Sequence, residues 1–244
     1  MPRSISARVF IALIVVSGLC VLGDAILSAH SIYVVRFVSF LAIACIAARL
    51  RLKLPGLTGS MSVNLPFILV AVAELSSLEA LAVGCISTFV QSIPSRPKKL
   101  NITQALFNFS NMALAVAATR LMFQSAAIST AVSGAPLRLA LAAGVFFLMN
   151  SIPVAVVISL SEAANALRTW QGIFQLSFPY FLASAGVAGV VLTLSDHIGW
   201  QVPVAVMPLM LGVFHSYRRL LGVIKAVPGT ASPNTAAAVL RANA

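Results

Sequence analysis

The sequence contains very few charged residues and hardly any acidic ones. Only 9% of its 244 residues are charged, and five Asp and Glu stand against sixteen Lys and Arg. A soluble domain is about 25% charged, whereas here 60% of the residues are hydrophobic and the mean hydropathy is +1.01. This composition excludes a water-soluble globular domain and predicts that lipid surrounds most of the chain.

Residues that could carry out catalysis are equally scarce. Cys20, Cys45 and Cys85 lie in separate apolar runs, and none has a partner at CxxC or zinc-finger spacing. The three histidines are scattered along the chain, and no Gly-rich phosphate loop, HExxH pair or GxSxG motif is present. We therefore expect no enzymatic activity, no metal site and no cofactor.

Long apolar runs predict an all-α fold, a polytopic bundle of transmembrane helices. A bilayer core of about 30 Å requires about 20 helical residues. Eight runs approach this length, with the third and fourth near the minimum for a full crossing: residues 9–27, 32–48, 58–74, 78–93, 102–123, 137–158, 173–194 and 201–216. We expect the bundle to cover residues 1–222, and the low-complexity residues 223–244 to form a disordered cytoplasmic tail.

The distribution of positive charge predicts how the bundle is oriented. Cytoplasmic loops collect Lys and Arg, and with both termini in the cytoplasm all but Arg36, Arg120 and Arg138 fall in cytoplasmic segments. The charge is thus explained by orientation in a bacterial inner membrane, and no basic patch remains for nucleic acid. The first run is long for a signal peptide, so we expect it to be retained as a helix.

Two charged residues in the first predicted hairpin suggest an ion pair. Asp24 and Arg36 each lie six residues from His30, the centre of the turn. An antiparallel hairpin would place them at the same depth, where an isolated charge is costly in lipid. We expect a structural ion pair between the two helices, and a contact with a ligand is the alternative.

A second group of charges falls near the outer ends of predicted spans. Glu74 and Glu79 flank the turn between the third and fourth spans, and Arg120 lies one turn from the outer end of the fifth. These side chains could meet. Two interpretations remain open: the side chains extend to the lipid headgroups, or they form a shallow outward-facing pocket for a small polar or cationic ligand.

Four asparagines lie within or at the ends of apolar runs: Asn64, Asn108, Asn111 and Asn150. An unsatisfied amide costs several kcal/mol in hydrocarbon, so these side chains must face protein. They are candidates either for hydrogen bonds between helices or for a ligand-binding polar cavity near mid-membrane, which Pro153 would help to open by interrupting its helix.

Several short motifs follow one another along the chain: Leu54–Phe67, Gln104–Asn108, Ser177–Tyr180, Gly199–Gln201 and Ser216–Arg218. In these motifs the sequence resembles the N-terminal membrane region of bacterial cyclic-di-GMP signalling proteins, which precedes an HD-GYP or GGDEF output domain. The resemblance covers roughly residues 50–222. No GGDEF motif or His-Asp dyad follows, so it implies a sensor region without the output domain, and it assigns no ligand to particular residues.

Three functional hypotheses remain. The first is a stand-alone sensor module that binds a small or lipophilic ligand and signals through a cytoplasmic partner. The second is a small-solute transporter or its membrane substrate-binding subunit, which buried amides and a proline-containing span would also serve. The third is a scaffold without a ligand. The sequence does not predict an oligomeric state.

Overall fold

A computed structural model describes residues 5–29, 33–53, 60–94, 101–162 and 164–198, and short helical stretches at 207–208, 210–212, 214–216 and 219. Eight helices occur in the continuous ranges: α1 Ile5–Leu27, α2 Val34–Arg49, α3 Leu65–Glu74, α4 Ser77–Ser92, α5 Ile102–Gln124, α6 Ala126–Ala131, α7 Ala135–Glu162 and α8 Ala166–Ile198. The predicted helical class is confirmed. The predicted tail and much of the last predicted span, 201–216, lie outside the described residues.

The structure also contains a pair of short strands that the sequence reasoning missed. Strand β1, Arg51–Lys53, pairs antiparallel with β2, Ser60–Ser62, so that Arg51 lies opposite Ser62. This pair leads into α3. Residues 51–53 lie between the second and third predicted spans, and residues 60–62 lie within the third, which was predicted to be helical.

Four helical segments of the described residues are long and apolar enough to cross a bilayer: α1, α5, α7 and residues 177–194 of α8. Helices α2 and α4 have 16 residues each, which corresponds to about 24 Å at 1.5 Å per residue. The structure therefore supports a membrane protein, and the count of eight spans stays a prediction.

Helix α3 is shorter than the predicted third span, residues 58–74. It has only 10 residues and begins at Leu65, with Pro66 in its first turn, since proline is well tolerated there. Its length of about 15 Å is half of a bilayer core. Residues 65–72 are all buried, as expected of a helix that is apolar on every side and surrounded by protein.

Helices α3 and α4 form a tight hairpin. Only Leu75 and Ser76 separate them, and Ser76 caps α4: its Oγ accepts a hydrogen bond from the Glu79 backbone N–H at 3.4 Å, and its own N–H donates to Glu79 Oε2 at 2.9 Å. At the other end of the hairpin, Asn64 Nδ2 donates to Ser87 Oγ at 2.9 Å. The two helices therefore run antiparallel along each other.

Helix α5 packs closely against both α1 and α4. A Cβ atom placed on Gly18 of α1 would lie 2.6 Å from Ser110 Cβ, and one on Gly84 of α4 would lie 2.8 Å from Val116 Cγ2. Small residues allow helices in a membrane to approach at this distance. Helix α5 is thereby fixed between neighbours, and its polar residues Ser110, Asn111 and Thr119 are buried.

Helices α7 and α8 form the longest antiparallel pair. Asn165 begins α8, because its Oδ1 accepts hydrogen bonds from the backbone N–H groups of Leu167 at 3.0 Å and Arg168 at 3.2 Å. Aromatic side chains join the two helices, and the Phe147 ring lies 4.7 Å from that of Phe181 in an edge-to-face arrangement. This packing fixes the position of α7 in the bundle.

Candidate functional site: an amide-lined cavity

A cavity of about 440 Å³ lies where the last turns of α4, the first half of α5 and the second half of α7 meet. Small-molecule sites typically occupy about 300–1,000 Å³. We call it the amide cavity. Its polar lining comprises Thr88, Gln91, Ser92, Asn101, Gln104, Asn108, Asn111, Asn150, Ser161 and Glu162, and its apolar lining Ala105, Phe107, Met112, Val154, Val157 and Ile158.

Three of the four asparagines proposed from sequence come together in this cavity. Asn108 and Asn111 are three residues apart and so share one face of α5, and Asn150 lies on α7. Asn111 Nδ2 donates hydrogen bonds to the Asn150 backbone oxygen at 3.2 Å and to Asn150 Oδ1 at 3.3 Å. The same amides thus join α5 to α7 and line the cavity.

Pro153 lies within α7 at the height of the cavity. Proline has no backbone N–H, so the carbonyl oxygen of Met149, four residues earlier, loses its helical hydrogen-bond donor. Val154, the next residue, lines the cavity. The wall that α7 provides is therefore less strongly hydrogen-bonded than the rest of the helix.

The fourth asparagine, Asn64, lies elsewhere. Its side chain is buried and donates to Ser87 Oγ, and Ser87 Oγ in turn donates to the Gly84 backbone oxygen at 3.1 Å. Asn64 therefore joins α3 to α4, and it does not line the amide cavity.

Arg36 has a different partner from the one predicted. Its Nη2 forms an ion pair with Glu74 Oε2, which connects α2 to the end of α3, whereas Asp24 is exposed to the surroundings of the bundle. The predicted pairing of Asp24 with Arg36 rested on the equal depth of these two residues in consecutive helices. The structure corrects it, because the third helix brings a carboxylate close to Arg36.

Arg120 and Glu79 complete this group, which we call the charged joint: Arg36, Glu74, Glu79 and Arg120. Arg120 Nη1 donates to the backbone oxygens of Val72 at 2.9 Å and Leu75 at 2.6 Å, and Arg120 also interacts electrostatically with Glu79. Of the charges predicted at the outer ends, Glu79 and Arg120 therefore influence each other, whereas Glu74 pairs with Arg36. Each has a structural task in holding α2, α3, α4 and α5 together.

Sequence reasoning overlooked the contribution of α4 to the amide cavity. Thr88, Gln91 and Ser92 stand at positions i, i+3 and i+4, which lie on one helix face, and all three line the cavity. This polar stripe at the end of an apolar helix was a usable signal.

The cysteines show no arrangement for metal binding. Cys20 is exposed, Cys45 is half-buried, and Cys85 is buried with its thiol 3.6 Å from the backbone oxygen of Phe109. Within the part of the chain that the structure describes, no three His, Cys, Asp or Glu side chains are grouped in a way that could hold a metal ion.

The chain was compared with protein families, curated proteins and solved structures. No curated protein and no solved structure matches it. The family model MASE9 matches residues 8–218, a range that contains α1 from its fourth residue onward, α2 to α8, the charged joint and the amide cavity. The chain therefore belongs to the MASE9 family, a family of the membrane-associated sensor type.

Proposed function

We propose that this protein is a membrane sensor module that binds a small ligand in the amide cavity and signals through a cytoplasmic partner. The observation that carries the proposal is the convergence of Asn108, Asn111 and Asn150 on one cavity. Polar groups that are expensive to place in a membrane usually mark a functional site. Membership of a sensor-type family supports the same role.

The proposal includes a topology of eight spans in a bacterial inner membrane, with both termini in the cytoplasm. The sorting of Lys and Arg supports it. In this topology α4 and α7 end, and α5 begins, at the cytoplasmic face, so the amide cavity opens toward the cytoplasm. A ligand in the cavity would then act on the helix ends that a cytoplasmic partner could contact.

The contact between Asn111 and Asn150 offers a way to convert binding into a change of packing. It joins α5 to α7 by two hydrogen bonds longer than 3.0 Å, one helical turn from Pro153. A ligand shifts a protein between two arrangements only as far as it binds them with different affinity. A ligand that competes for these amides would favour an arrangement with α5 and α7 further apart.

Transport of a small solute is a second candidate. A polar cavity beside a proline-containing helix is also a feature of substrate sites in membrane transporters. The sensor and transport hypotheses share the site and differ in its consequence: a sensor changes conformation at its cytoplasmic end, while a transporter moves solute across the bilayer.

Distance measurements in reconstituted protein separate these hypotheses. Spin labels at Ile102→Cys on α5 and Leu167→Cys on α8, both exposed positions, would report the cytoplasmic end in a chain whose three native cysteines are replaced by alanine. The probe is a deproteinised small-molecule extract of bacterial cells. We expect the extract to change the distance between the labels, and Asn111→Leu to abolish the change.

Two results would contradict the sensor function. One is a distance distribution between the two labels that the extract leaves unchanged. The other is accumulation of a solute from the extract inside sealed proteoliposomes, dependent on Asn111, which would establish transport.

A further inference from the structure

Two buried polar atoms in the wall of the amide cavity have no hydrogen-bond partner among the residues that the structure describes. Asn111 is 2% exposed, and while its Nδ2 is used by Asn150, its Oδ1 accepts no hydrogen bond. Thr88 is 6% exposed, and its Oγ1 is also without a partner. An unsatisfied buried group costs about 1–3 kcal/mol, so both atoms are suited to a bound molecule.

The charge of the cavity limits what that molecule can be. Among the described residues that line the cavity, only Glu162 is charged. It is exposed and lies at the end of α7, about 18 Å along the helix from Asn150 at 1.5 Å per residue. An ion bound near Asn111 and Thr88 would have no counter-charge close to it among the described lining side chains, and an unpaired charge is costly in a low-dielectric environment. The occupant should therefore be uncharged.

The two free atoms and the apolar wall define its chemistry further. The carbonyl oxygen Asn111 Oδ1 requires a donor, whereas the Thr88 hydroxyl either donates or accepts. Phe107, Met112 and Val154 provide an apolar surface in the same cavity. We propose that the amide cavity binds a small uncharged molecule with an N–H or O–H donor and an apolar part, held by Asn111 and Thr88. This inference rests on the proposed function, whose ligand class it specifies.

Benzamide is a suitable probe, since it offers an N–H donor, a carbonyl acceptor and an apolar ring. N,N-dimethylbenzamide lacks the donor, and benzoate and benzamidine have similar shapes with opposite charges. Binding to the full chain in lipid nanodiscs can be measured by ligand-observed NMR, with protein-free nanodiscs as the blank. We expect saturable binding of benzamide, and binding at least about tenfold weaker, or 1.4 kcal/mol, for each of the other three.

Thr88→Val tests the site without removing a hydrogen bond that the protein itself uses. The variant should weaken benzamide binding about three- to tenfold, while the empty protein unfolds at the same or a higher temperature. Thr130→Val is the matched control, because Thr130 lies on the exposed helix α6 and its Oγ1 donates to the Ala127 backbone oxygen at 3.0 Å. It should leave benzamide binding unchanged.

The inference is overturned if benzamide shows no saturable binding above the blank, which would leave the cavity to water. It is also overturned if N,N-dimethylbenzamide binds as well, or if Thr88→Val binds benzamide like the unmodified chain. Selective benzamide binding without any response of the spin-label distance to the extract would uphold the ligand class and contradict the sensor function. A change of the spin-label distance with the extract, but no binding of benzamide, would uphold the sensor function and contradict the ligand class.

Discussion

The guanidinium of Arg120 lies against the end of α3, with Nη1 2.6 Å from the Leu75 backbone oxygen. The last carbonyl groups of a helix have no partner within the helix. Arg120 supplies a donor from α5, and it does so beside the buried carboxylate of Glu79. A helix of only 10 residues is thereby fixed inside the bundle.

Removal of this contact should destabilise the protein. Arg120→Met would leave the Val72 and Leu75 oxygens without their donor and Glu79 without its nearby cation, at a cost of about 2 kcal/mol. Arg120→Lys should recover part of that loss. The measurement is unfolding in detergent, with Arg168→Met, an exposed arginine of α8, as control; equal stability of the Arg120 and Arg168 variants would show that the contact is unimportant.

The close approach of α1 to α5 gives a second prediction. Gly18→Ala places a methyl group 2.6 Å from Ser110 Cβ, so the two helices must separate, and the stability should fall by about 1–3 kcal/mol. Gly23→Ala on the same helix meets nothing within 4 Å and should be neutral or slightly stabilising. If the two variants unfold at the same temperature, α1 does not pack on α5 in this way.

The ion pair of the charged joint can be tested by exchange of charges. Arg36→Glu alone and Glu74→Arg alone should each destabilise the protein, and the double exchange should recover part of the loss, with a coupling of about 0.5–3 kcal/mol. The side chains are 34% and 15% exposed, which favours the lower part of that range. The exchange of Arg36 with Asp24 is the control and should recover no stability. Recovery in that exchange, and none in the exchange with Glu74, would show that Arg36 pairs with Asp24.

Two neighbouring residues of α4 should respond in opposite ways to loss of their hydroxyl groups. Ser87→Ala removes the acceptor for Asn64 Nδ2 and the donor to the Gly84 oxygen, and this loss of two buried hydrogen bonds should cost about 1–2 kcal/mol. Thr88→Val removes a hydroxyl that has no partner in the described part of the chain, and it should not destabilise the ligand-free protein. Equal losses in thermal unfolding would contradict this assignment of hydrogen bonds.

Much of the fold was predictable because apolar runs determine helices directly. The predicted run 102–123 agrees with α5, Ile102–Gln124, within one residue. The start is fixed by Asn101, whose Oδ1 caps the helix by accepting a hydrogen bond from the Gln104 N–H at 3.3 Å. The grouping of Asn108 with Asn111 followed from helical spacing. The start of α3 at Leu65 was not predicted, because hydropathy averaged over a whole span includes the more polar residues 58–64 with the apolar residues that follow them.

Contacts between helices that are distant in sequence were less predictable. Arg36 pairs with Glu74, 38 residues away, and the amide cavity requires α4, α5 and α7 to meet. The position of a residue along its helix predicts its depth in the membrane, but it does not predict which helices are neighbours. That information comes from close packing at positions such as Gly18 and Gly84.

The proposal that the amide cavity opens to the cytoplasm is tested most directly by cysteine accessibility. Gln91 and Ser161 line the cavity, and Ser77 and Ser133 lie at the opposite helix ends. With single cysteines at these positions, an impermeant maleimide should label 77 and 133 in intact cells, and label 91 and 161 only in inverted vesicles. Labelling of 91 or 161 in intact cells would contradict the proposed topology and the cytoplasmic route to the cavity.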